Sequence, residues 1–371
     1  MSDLKTETPV SGPRIGESAP RPDGVPKVNG SFAFSSDLWH KNMLWGGTLR
    51  SPFPSARITR LDITEALLID GVQAVLTHED VPGQNLYGLE HADQPVMAEE
   101  IIRYEGEPVA IVAADHPEIV RRALNAIQVE YEEMTPLTDP ELAEETDFIH
   151  PDGNLIRRIN LRHGDQEVQG EIQVEGIYEV GMQDQAFLGL ESGLAVPGED
   201  GGVDLYISTQ WLHADRSQVA SCLGLEEERV RITLAGVGGA FGAREDLSLH
   251  VHLCMLAMRT NRAVKMIYSR EESFHGHVHR HPAKMWYRHH ADSKGNLLRV
   301  EAKVLLDGGA YASSSGAVIA NATCFAAGPY RIPSADIEGV VVRTNNPPCG
   351  AMRGFGAVQT CVGHEAQMDK L

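Results

Sequence analysis

The segment Gly236–Asp246, with the sequence GVGGAFGARED, constrains the fold more than any other part of this chain. The residues before it, Arg229–Leu234, alternate apolar and polar side chains with the period of a β-strand. The residues after it, Asp246–Arg259, carry leucines at helical spacing. Glycines let a ligand approach the main chain, and a helix N-terminus adds unpaired N–H groups. The segment indicates a turn that binds an oxyanion or a phosphate-bearing cofactor, with a tight structural turn as the alternative.

Two common phosphate-binding loops do not fit this turn. A dinucleotide-binding fingerprint needs Gly or Ala where the chain has Phe241. A Walker A loop needs a Gly-Lys-Ser/Thr ending, which the segment lacks. A nucleotide-binding dehydrogenase is therefore disfavoured, because no suitable βαβ unit follows the turn either.

The charge balance excludes two classes of partner. The 371 residues carry 32 Lys and Arg against 52 Asp and Glu, a formal net charge of −20. Such an acidic chain argues against nucleic acid and against an anionic membrane surface. The sequence also has no apolar run of about 18 residues that could span a membrane, and its N-terminus lacks the apolar core of a secretory signal.

The five cysteines predict a cytoplasmic protein with reduced thiols. They form no CxxC pair, and their number is odd. Their spacing suits neither an iron–sulfur cluster nor a structural zinc site.

Periodicity and composition divide the chain into four segments. Residues 1–20 are predicted to be a disordered lead-in, and residues 133–153 a linker that is rich in proline and acidic residues. Residues 21–132 and 154–371 are each predicted to be a folded unit that contains strands and helices.

Runs rich in β-branched residues predict strands in both units, at Val72–Thr77, Pro108–Ala113, Val203–Ser208 and Val264–Tyr268. Ala283–Ala291 and Leu297–Leu306 are predicted to pair as a hairpin across Gly295. His116–Ile127 and Ala357–Leu371 carry helical spacing. The last helix stops without a capping glycine, proline or polar tail, which indicates a fragment or one piece of a longer subunit.

Three further segments join the glycine-rich turn, namely Ser208–Gln210, Ser269–Pro282 and Ala351–Gln359. Together with GGAFGARED they resemble the molybdenum-cofactor subunit of the xanthine dehydrogenase/aldehyde oxidase family. In the first unit, KVNGSFAFSSDL, LRSPFPSARI, GVQAVLTHEDVPG and YEGEPVAIVAADH are similar to that family's α/β hammerhead domain. The resemblance implies an α/β (α+β) fold, with a hammerhead domain at residues 21–132 and the first molybdopterin-binding domain at residues 154–371. It also implies that the second half of the cofactor-binding region is absent.

The resemblance implies a molybdenum hydroxylase of N-heterocycle or purine catabolism. Such an enzyme inserts water-derived oxygen at a carbon of an N-heterocycle, a purine or an aldehyde. A pterin dithiolene holds the molybdenum, and the protein contributes positioning and electrostatics. The cytosine dinucleotide form of molybdopterin is one option for the cofactor. We expect partner chains with [2Fe–2S] and FAD to accept the electrons, in a dimer of heteromeric units.

The cofactor-binding set that the resemblance implies comprises Gln210, Gly238, Gly239, Phe241, Gly242, Ala351 and Arg353. Main-chain amides of the glycine-rich turn would bind the apical oxo ligand and the pterin. The amide of Gln210 can donate to a molybdenum oxygen, and the planar Arg353 guanidinium can pair with cofactor oxygens. Gln210, Phe241 and Arg353 are expected around the metal without ligating it. A structural salt bridge is the alternative for Arg353.

The substrate-binding set that the resemblance implies comprises Glu245, Asn321 and Phe355. Phe355 can offer a ring face to a flat substrate, with core packing as the alternative. Glu245 stands where purine-oxidising relatives hold a carboxylate, which accepts from ring N–H groups, or donates if burial raises its pKa. Asn321 stands where those relatives place an arginine, so the missing positive charge argues against a purine.

No catalytic residue is assigned, because the family's general-base Glu is expected beyond Leu371. Gly354 stands where the carbon monoxide dehydrogenases of the family carry a copper-binding cysteine, which argues against that activity. The alternative to an enzyme is a non-catalytic binding or assembly fragment that keeps the fold.

Four histidines alternate within Ser269–Pro282, namely His275, His277, His279 and His281. On an extended strand they would share one face. Such a face suits a transition metal or, as the alternative, a hydrogen-bonded surface ladder.

Overall fold

The computed structural model describes residues 15–371; residues 1–14, most of the predicted lead-in, lie outside the described part. The strands are β1 (Leu44–Arg50), β2 (Ala56–Asp62), β3 (Val72–Leu76), β4 (Leu86–Tyr87), β5 (Gln94–Pro95), β6 (Ile101–Ile102), β7 (Pro108–Ala114), β8 (Gln128–Glu133), β9 (Leu155–His163), β10 (Ile172–Val180), β11 (Ser192–Pro197), β12 (Val203–Ile207), β13 (Val230–Leu234), β14 (Val264–Ile267), β15 (Ala283–Ala291), β16 (Leu297–Asp307) and β17 (Ser334–Val342).

The α-helices are α1 (Gly24–Val28), α2 (Thr64–Leu67), α3 (Pro117–Ala126), α4 (Leu212–Leu223), α5 (His250–Thr260), α6 (Arg270–Gly276), α7 (Ser315–Phe325) and α8 (Ala357–Lys370). Among residues 15–371, no helix is long and apolar enough to cross a membrane.

The largest sheet joins the two predicted units. Its strand order is β13-β12-β11-β14-β1-β7-β3, so strands of both units hydrogen-bond within one sheet. The junction is the parallel pair of β1 and β14, where Leu44 lies opposite Val264. Helix α5 packs on this sheet and buries Leu253 and Leu256 in its core. The sheet ties the first unit firmly to the second.

Parallel pairing in this sheet positions the glycine-rich turn. Strands β12 and β13 run parallel, with Ile207 opposite Leu234. The segments that leave their carboxyl ends therefore start at the same sheet edge. Ser208–Gln210 follows β12 and the turn at Gly236 follows β13, so two of the predicted motifs become neighbours.

A second sheet supports the other predicted motif, Ala351–Gln359. Its order is β10-β15-β16-β17-β9, and helices α7 and α8 pack against it. The predicted hairpin is present as β15 and β16, with Gly295 at a φ of 81° in its turn. The core between this sheet and α7 includes Val304, Ile319 and Val341. Helix α8 begins directly after the Ala351–Gly356 segment, which the sheet and helices hold in place.

Two smaller sheets complete the first unit, with orders β6-β2-β8 and β4-β5. The β4–β5 hairpin rests on the C-terminal end of α4, because the main-chain N–H groups of Gly83 and Gln84 donate to the carbonyl oxygens of Cys222 and Ser221 at 2.9 and 3.1 Å. These contacts place a piece of the first unit beside the second.

The mixed α/β fold is confirmed, but one predicted helix boundary is wrong. The helix after the glycine-rich turn was expected from Asp246, whereas α5 begins at His250. The Asp246 side chain accepts a hydrogen bond from Ser313 Oγ at 2.7 Å, and Ser248 N donates to His250 Nδ1 at 3.1 Å. Side-chain hydrogen bonds thus compete with the first helical turn.

Candidate functional site

A cavity of about 660 Å³ gathers most of the predicted site residues at one place. Its walls come from the end of β12, the glycine-rich turn, the start of α7, the segment before α8 and the β4–β5 hairpin. The lining residues are Leu89, Glu90, Gln210, Trp211, Ala240, Phe241, Gly242, Glu245, Ser314, Ala317, Ala351, Met352, Arg353 and Phe355.

The two predicted motifs touch each other directly within this cavity. Arg353 N donates to Phe241 O at 2.8 Å. A Cβ atom on Gly242 would lie 2.6 Å from Ala351 O, and Gly242 has a φ of 109°. Only glycine tolerates both the contact and this backbone conformation without strain. The turn and the Ala351–Arg353 segment therefore form one wall.

Two aromatic residues of the wall hold strained backbone conformations. Phe241 has a φ of 54° and Phe355 a φ of 43°, which non-glycine residues adopt rarely. Such strain persists only where the surrounding structure imposes it, and it is concentrated at functional sites. The Phe241 side chain is 49% exposed, which leaves a large apolar ring available to a ligand.

Hydrogen bonds fix the orientation of the Gln210 side-chain amide. Its Oε1 accepts from Gly242 N at 3.1 Å, so its Nε2 is the donor that remains. One N–H of Nε2 points toward Glu245 Oε1, at 3.4 Å. Gln210 N also donates to Arg244 O at 2.8 Å. Within residues 15–371 no other group accepts from Nε2, so this amide can donate to a ligand oxygen.

The Arg353 guanidinium is exposed at the cavity, and no carboxylate of the described residues pairs with it. Within residues 15–371 the alternative of a buried structural salt bridge is therefore contradicted. Its main chain is held by Arg280, whose Nη2 donates to Arg353 O at 2.8 Å. A free planar cation beside fixed backbone is suited to bind ligand oxygens.

Three carboxyl groups at or behind the wall have raised pKa values, because burial disfavours their charged forms. Burial raises the pKa of Glu245 above its usual range. Burial raises the pKa of Asp246 to about 7, although Ser313 donates to it. Asp215, which accepts from Thr209 Oγ1, also reaches a pKa of about 7 through burial. Asp246 and Asp215, which lie behind the wall, therefore titrate near neutral pH.

Family models match both parts of the chain. Residues 29–135 match the aldehyde oxidase and xanthine dehydrogenase α/β hammerhead domain, and residues 149–371 match the molybdopterin cofactor-binding domain. The chain belongs to the xanthine dehydrogenase/aldehyde oxidase family. It is a molybdopterin-binding subunit of that family or a part of one.

Curated relatives agree with this family. A probable xanthine dehydrogenase subunit from Bacillus subtilis is 40% identical over 95% of this chain and 48% of its own length. The nicotinate dehydrogenase large molybdopterin subunit of Eubacterium barkeri is 38% identical over 96% of this chain and 85% of its own length. The chain therefore spans about half the length of the first relative.

Solved structures of the family share the fold. The aldehyde oxidoreductase of Desulfovibrio gigas superposes with a TM-score of 0.90 at 27% identity, covering 95% of this chain and 41% of that one. Quinoline 2-oxidoreductase of Pseudomonas putida superposes with a TM-score of 0.88 at 27% identity, covering 96% of this chain and 48% of that one.

The lining residues fit a molybdopterin-type cofactor of this family. Such a group presents oxo and phosphate oxygens, which need donors and positive charge. The cavity offers the Gln210 amide donor and the Arg353 guanidinium, which no carboxylate of the described residues pairs with, beside a backbone cradle at Gly242 that a Cβ atom would fill. The donor, the cation and the backbone cradle are thus the groups that the cofactor oxygens would need.

Three residues that the resemblance assigned to the site lie outside the lining. Gly238 packs against Gly189, where an added Cβ would lie 2.7 Å from the Gly189 Cα atom. Gly239 O accepts from Arg244 Nε at 2.9 Å. Asn321 Nδ2 donates to Phe355 O at 2.6 Å, so the Asn321 amide supports the Phe355 backbone. Their direct roles at cofactor or substrate remain predictions.

The core-packing interpretation of Phe355 is confirmed, and its contact with a substrate stays a prediction. Phe355 lines the cavity and also packs against the core between the second sheet and α7. One face of the side chain thus has a structural role, and Phe355 N donates to Met352 O at 2.8 Å to close the turn.

Sequence reasoning missed the part of the wall that comes from the first unit. Leu89 and Glu90 lie in the loop of the β4–β5 hairpin and line the cavity. No local pattern marks them, because long-range hydrogen bonds to the second unit bring their loop here. Trp211 also lines the cavity, and its position next to Gln210 was an available signal.

The extended strand that would place all four alternating histidines on one face, for a metal or for a hydrogen-bonded ladder, is not formed. His275 lies in helix α6, so the segment is not one extended strand. His277 and His279 stack with ring centroids 5.2 Å apart, and their Nε2 atoms lie 3.1 and 3.3 Å from Asp184 Oδ2. His281 Nε2 lies 2.8 Å from Ser315 Oγ. Burial opposes ionisation of Asp184, but hydrogen bonds from both imidazoles lower its pKa well below the usual range.

All five cysteines are free thiols. Burial raises the pKa of Cys222 to about 12, which makes it unreactive, and Cys254 and Cys349 are also buried. Cys361 lies with His364 and Glu365 on α8, and their potential ligand atoms are within 4.8 Å of one another.

Proposed function

We propose that this chain is the cofactor- and substrate-binding part of a molybdenum hydroxylase large subunit, which inserts water-derived oxygen at a carbon of an N-heterocycle, a purine or an aldehyde. The observation that carries the proposal is the cavity in which the Phe241–Gly242 turn meets Arg353 beside the Gln210 amide. When bound, the molybdenum cofactor supplies the oxygen atom and accepts two electrons.

The residues of this chain would position the cofactor. The Gly242 N–H holds Gln210 Oε1, which leaves the Gln210 Nε2 to donate to an oxygen near the metal. The Arg353 guanidinium would neutralise cofactor oxygens, and Ala351 would contribute its backbone. Phe241 would cover the metal without ligating it. None of these roles requires a protein atom to ligate the molybdenum, because the pterin would provide the sulfur ligands.

Glu245 would bind the substrate. Burial raises its pKa, so the carboxyl group can accept from a ring N–H when ionised and donate to a ring nitrogen or carbonyl when protonated. Phe355 would pack on a planar ring from the side of α8. The Phe355 ring beside a carboxyl group that can either accept or donate a hydrogen bond suits an N-heterocycle better than an aldehyde.

The relatives are named for a range of small substrates, namely xanthine, nicotinate, quinoline and aldehydes. For this chain we favour an N-heterocycle other than a purine, because the chain has Asn321 instead of an arginine. The general base would be a Glu beyond Leu371, and separate chains with [2Fe–2S] and FAD would accept the electrons. We place the complex in the cytoplasm.

The experiment that tests the proposal is purification of the complete subunit with its partner chains. We expect stoichiometric molybdenum and pterin, and reduction of a dye acceptor by one class among purines, other N-heterocycles and aldehydes. A folded, metal-free protein would contradict the proposal. Bound cofactor without turnover of any class would favour the second candidate, a non-catalytic assembly module that keeps the fold.

A further inference from the structure

The first unit contributes one wall of the cavity through the loop between β4 and β5. Leu89 and Glu90 of this loop line the cavity opposite residues of the second unit. The same Glu90 also lines a second, larger cavity of about 1210 Å³. Glu90 therefore stands between the proposed substrate pocket and a neighbouring open space.

The loop that carries Glu90 is anchored on both sides. Gly88 N donates to Gln218 Oε1 of α4 at 3.0 Å. Asp93 Oδ2 accepts from Ala312 N at 3.0 Å and from Arg343 Nη2 at 3.1 Å. Because the anchors lie on different elements of the second unit, the loop is held against the cavity and its side chains have defined positions.

The Glu90 carboxylate is itself fixed at the N-terminus of α7. Its Oε1 accepts from Ala317 N at 2.8 Å. The helix N-terminus favours a negative charge there, because unpaired N–H groups and the helix dipole stabilise it. An added Cβ atom on Gly316 would collide with the same carboxylate. The Glu90 carboxylate therefore has a fixed position in this wall, although the side chain is exposed.

The balance of charge in the cavity bears on which substrates it accepts. Among residues 15–371, the charged side chains that line it are Glu90, Glu245 and Arg353. Under the proposed function, Arg353 serves the cofactor oxygens. A substrate would then face two acidic groups. Burial raises the pKa of Glu245, and a hydrogen bond from Ala317 N holds the carboxylate of Glu90 in place.

We propose that Glu90 is a specificity-determining residue, which favours neutral and cationic N-heterocycles over anionic ones. This inference rests on the proposed function, because it assigns the cavity to the substrate. A carboxylate repels an anion and attracts a cation even at a solvent-exposed position such as that of Glu90. Rejection of the wrong charge is a common source of specificity.

The test compares three probes that share one ring and differ in charge: nicotinamide, N1-methylnicotinamide and nicotinate. Glu90→Gln keeps an oxygen to accept from Ala317 N–H but removes the charge. Glu99→Gln is the matched control, since Glu99 lines the second cavity and not the first. Binding to the complete subunit is measured by quenching of tryptophan fluorescence, and Trp211→Phe establishes that the signal arises in this cavity.

We expect the wild-type subunit to bind the cation more tightly than the anion. Glu90→Gln should reduce that preference about five- to tenfold, while Glu99→Gln should keep the wild-type preference. The same preference in Glu90→Gln and wild type would overturn the inference. Turnover of the three probes with a dye acceptor is measured in parallel. A change in binding preference without turnover would support the role of Glu90 and count against the proposed activity.

Discussion

The main-chain N–H of Arg353 donates to the carbonyl oxygen of Phe241 at 2.8 Å, and this bond joins two segments that are far apart in the sequence. One segment follows β13 of the large sheet, and the other precedes helix α8 on the second sheet. Each segment alone is a short glycine-containing turn. Together they form a cavity wall with a fixed backbone and with the Arg353 guanidinium, which makes no ion pair with the part of the chain that the structure describes.

The contact between Gly242 and Ala351 predicts that a single methyl group disrupts this wall. Gly242→Ala would place Cβ 2.6 Å from Ala351 O at a φ of 109°. We expect a loss of stability of roughly 1–3 kcal/mol and a loss of bound molybdenum. Gly295→Ala is the matched control, since Gly295 has a φ of 81° with nothing within 4 Å of its added Cβ. The control should lose stability and retain the metal, as judged by thermal unfolding and metal analysis.

The two hydrogen-bonding roles of Gln210 can be separated by substitution. Gln210→Glu keeps an oxygen that accepts from Gly242 N but replaces the Nε2 donor with an acceptor. Loss of one hydrogen bond to a charged or strongly polar group should lower kcat/KM about 10- to 100-fold. The thermal unfolding temperature should change little. Steady-state kinetics on the complete subunit would contradict this role if Gln210→Glu behaved as wild type.

The buried Asp246 carboxyl predicts a pH dependence of stability. Burial raises its pKa in the folded protein to about 7, from an ordinary value of 3.8. The folded state therefore binds the proton more tightly than the unfolded state, and the free energy of unfolding falls as pH rises between these values. Asp246→Asn keeps an acceptor for Ser313 and removes the titration.

At pH 8, Asp246→Asn should be more stable than wild type by roughly 1–4 kcal/mol, whereas near pH 4 the two proteins should be similar. Urea unfolding at several pH values measures this difference. Asp70→Asn, at an exposed position, is the control and should show no comparable change with pH. A difference between Asp246→Asn and wild type that is the same at pH 4 and pH 8 would contradict the assigned cause.

The local part of the site could be predicted from the sequence because it depends on short-range periodicity. The alternation in Arg229–Leu234 predicts β13, and the glycines predict the turn after it. The resemblance to a known family supplied Gln210 and Arg353. That these segments share one cavity depends on the parallel pairing of β12 with β13, which no local pattern contains.

Other parts of the structure could not be predicted from the alternation of residue types alone. The histidine segment is interrupted by α6, whose N-cap Ser269 accepts from Glu272 N at 3.0 Å through its hydroxyl. The Ser-x-x-Glu pattern was present in the sequence and indicates a helix start. Leu89 and Glu90 reach the cavity because their loop is hydrogen-bonded to the second unit, through Gly88 N to Gln218 Oε1 and through Asp93 Oδ2 from Ala312 N. Tertiary pairing of this kind leaves no mark on the residues that it brings together.

The central claim is that Arg353, which has no ion pair among residues 15–371, binds the cofactor. The most direct measurement is the molybdenum and pterin content per folded subunit of Arg353→Ala, beside wild type and Arg162→Ala. Arg162 is an exposed arginine that pairs with Asp336 at 3.1 Å and serves as the control. We predict full occupancy in wild type and in Arg162→Ala, and severe loss of molybdenum in Arg353→Ala. The cofactor-free forms of Arg353→Ala and wild type should unfold at the same temperature. Full occupancy and wild-type turnover in Arg353→Ala would contradict the account.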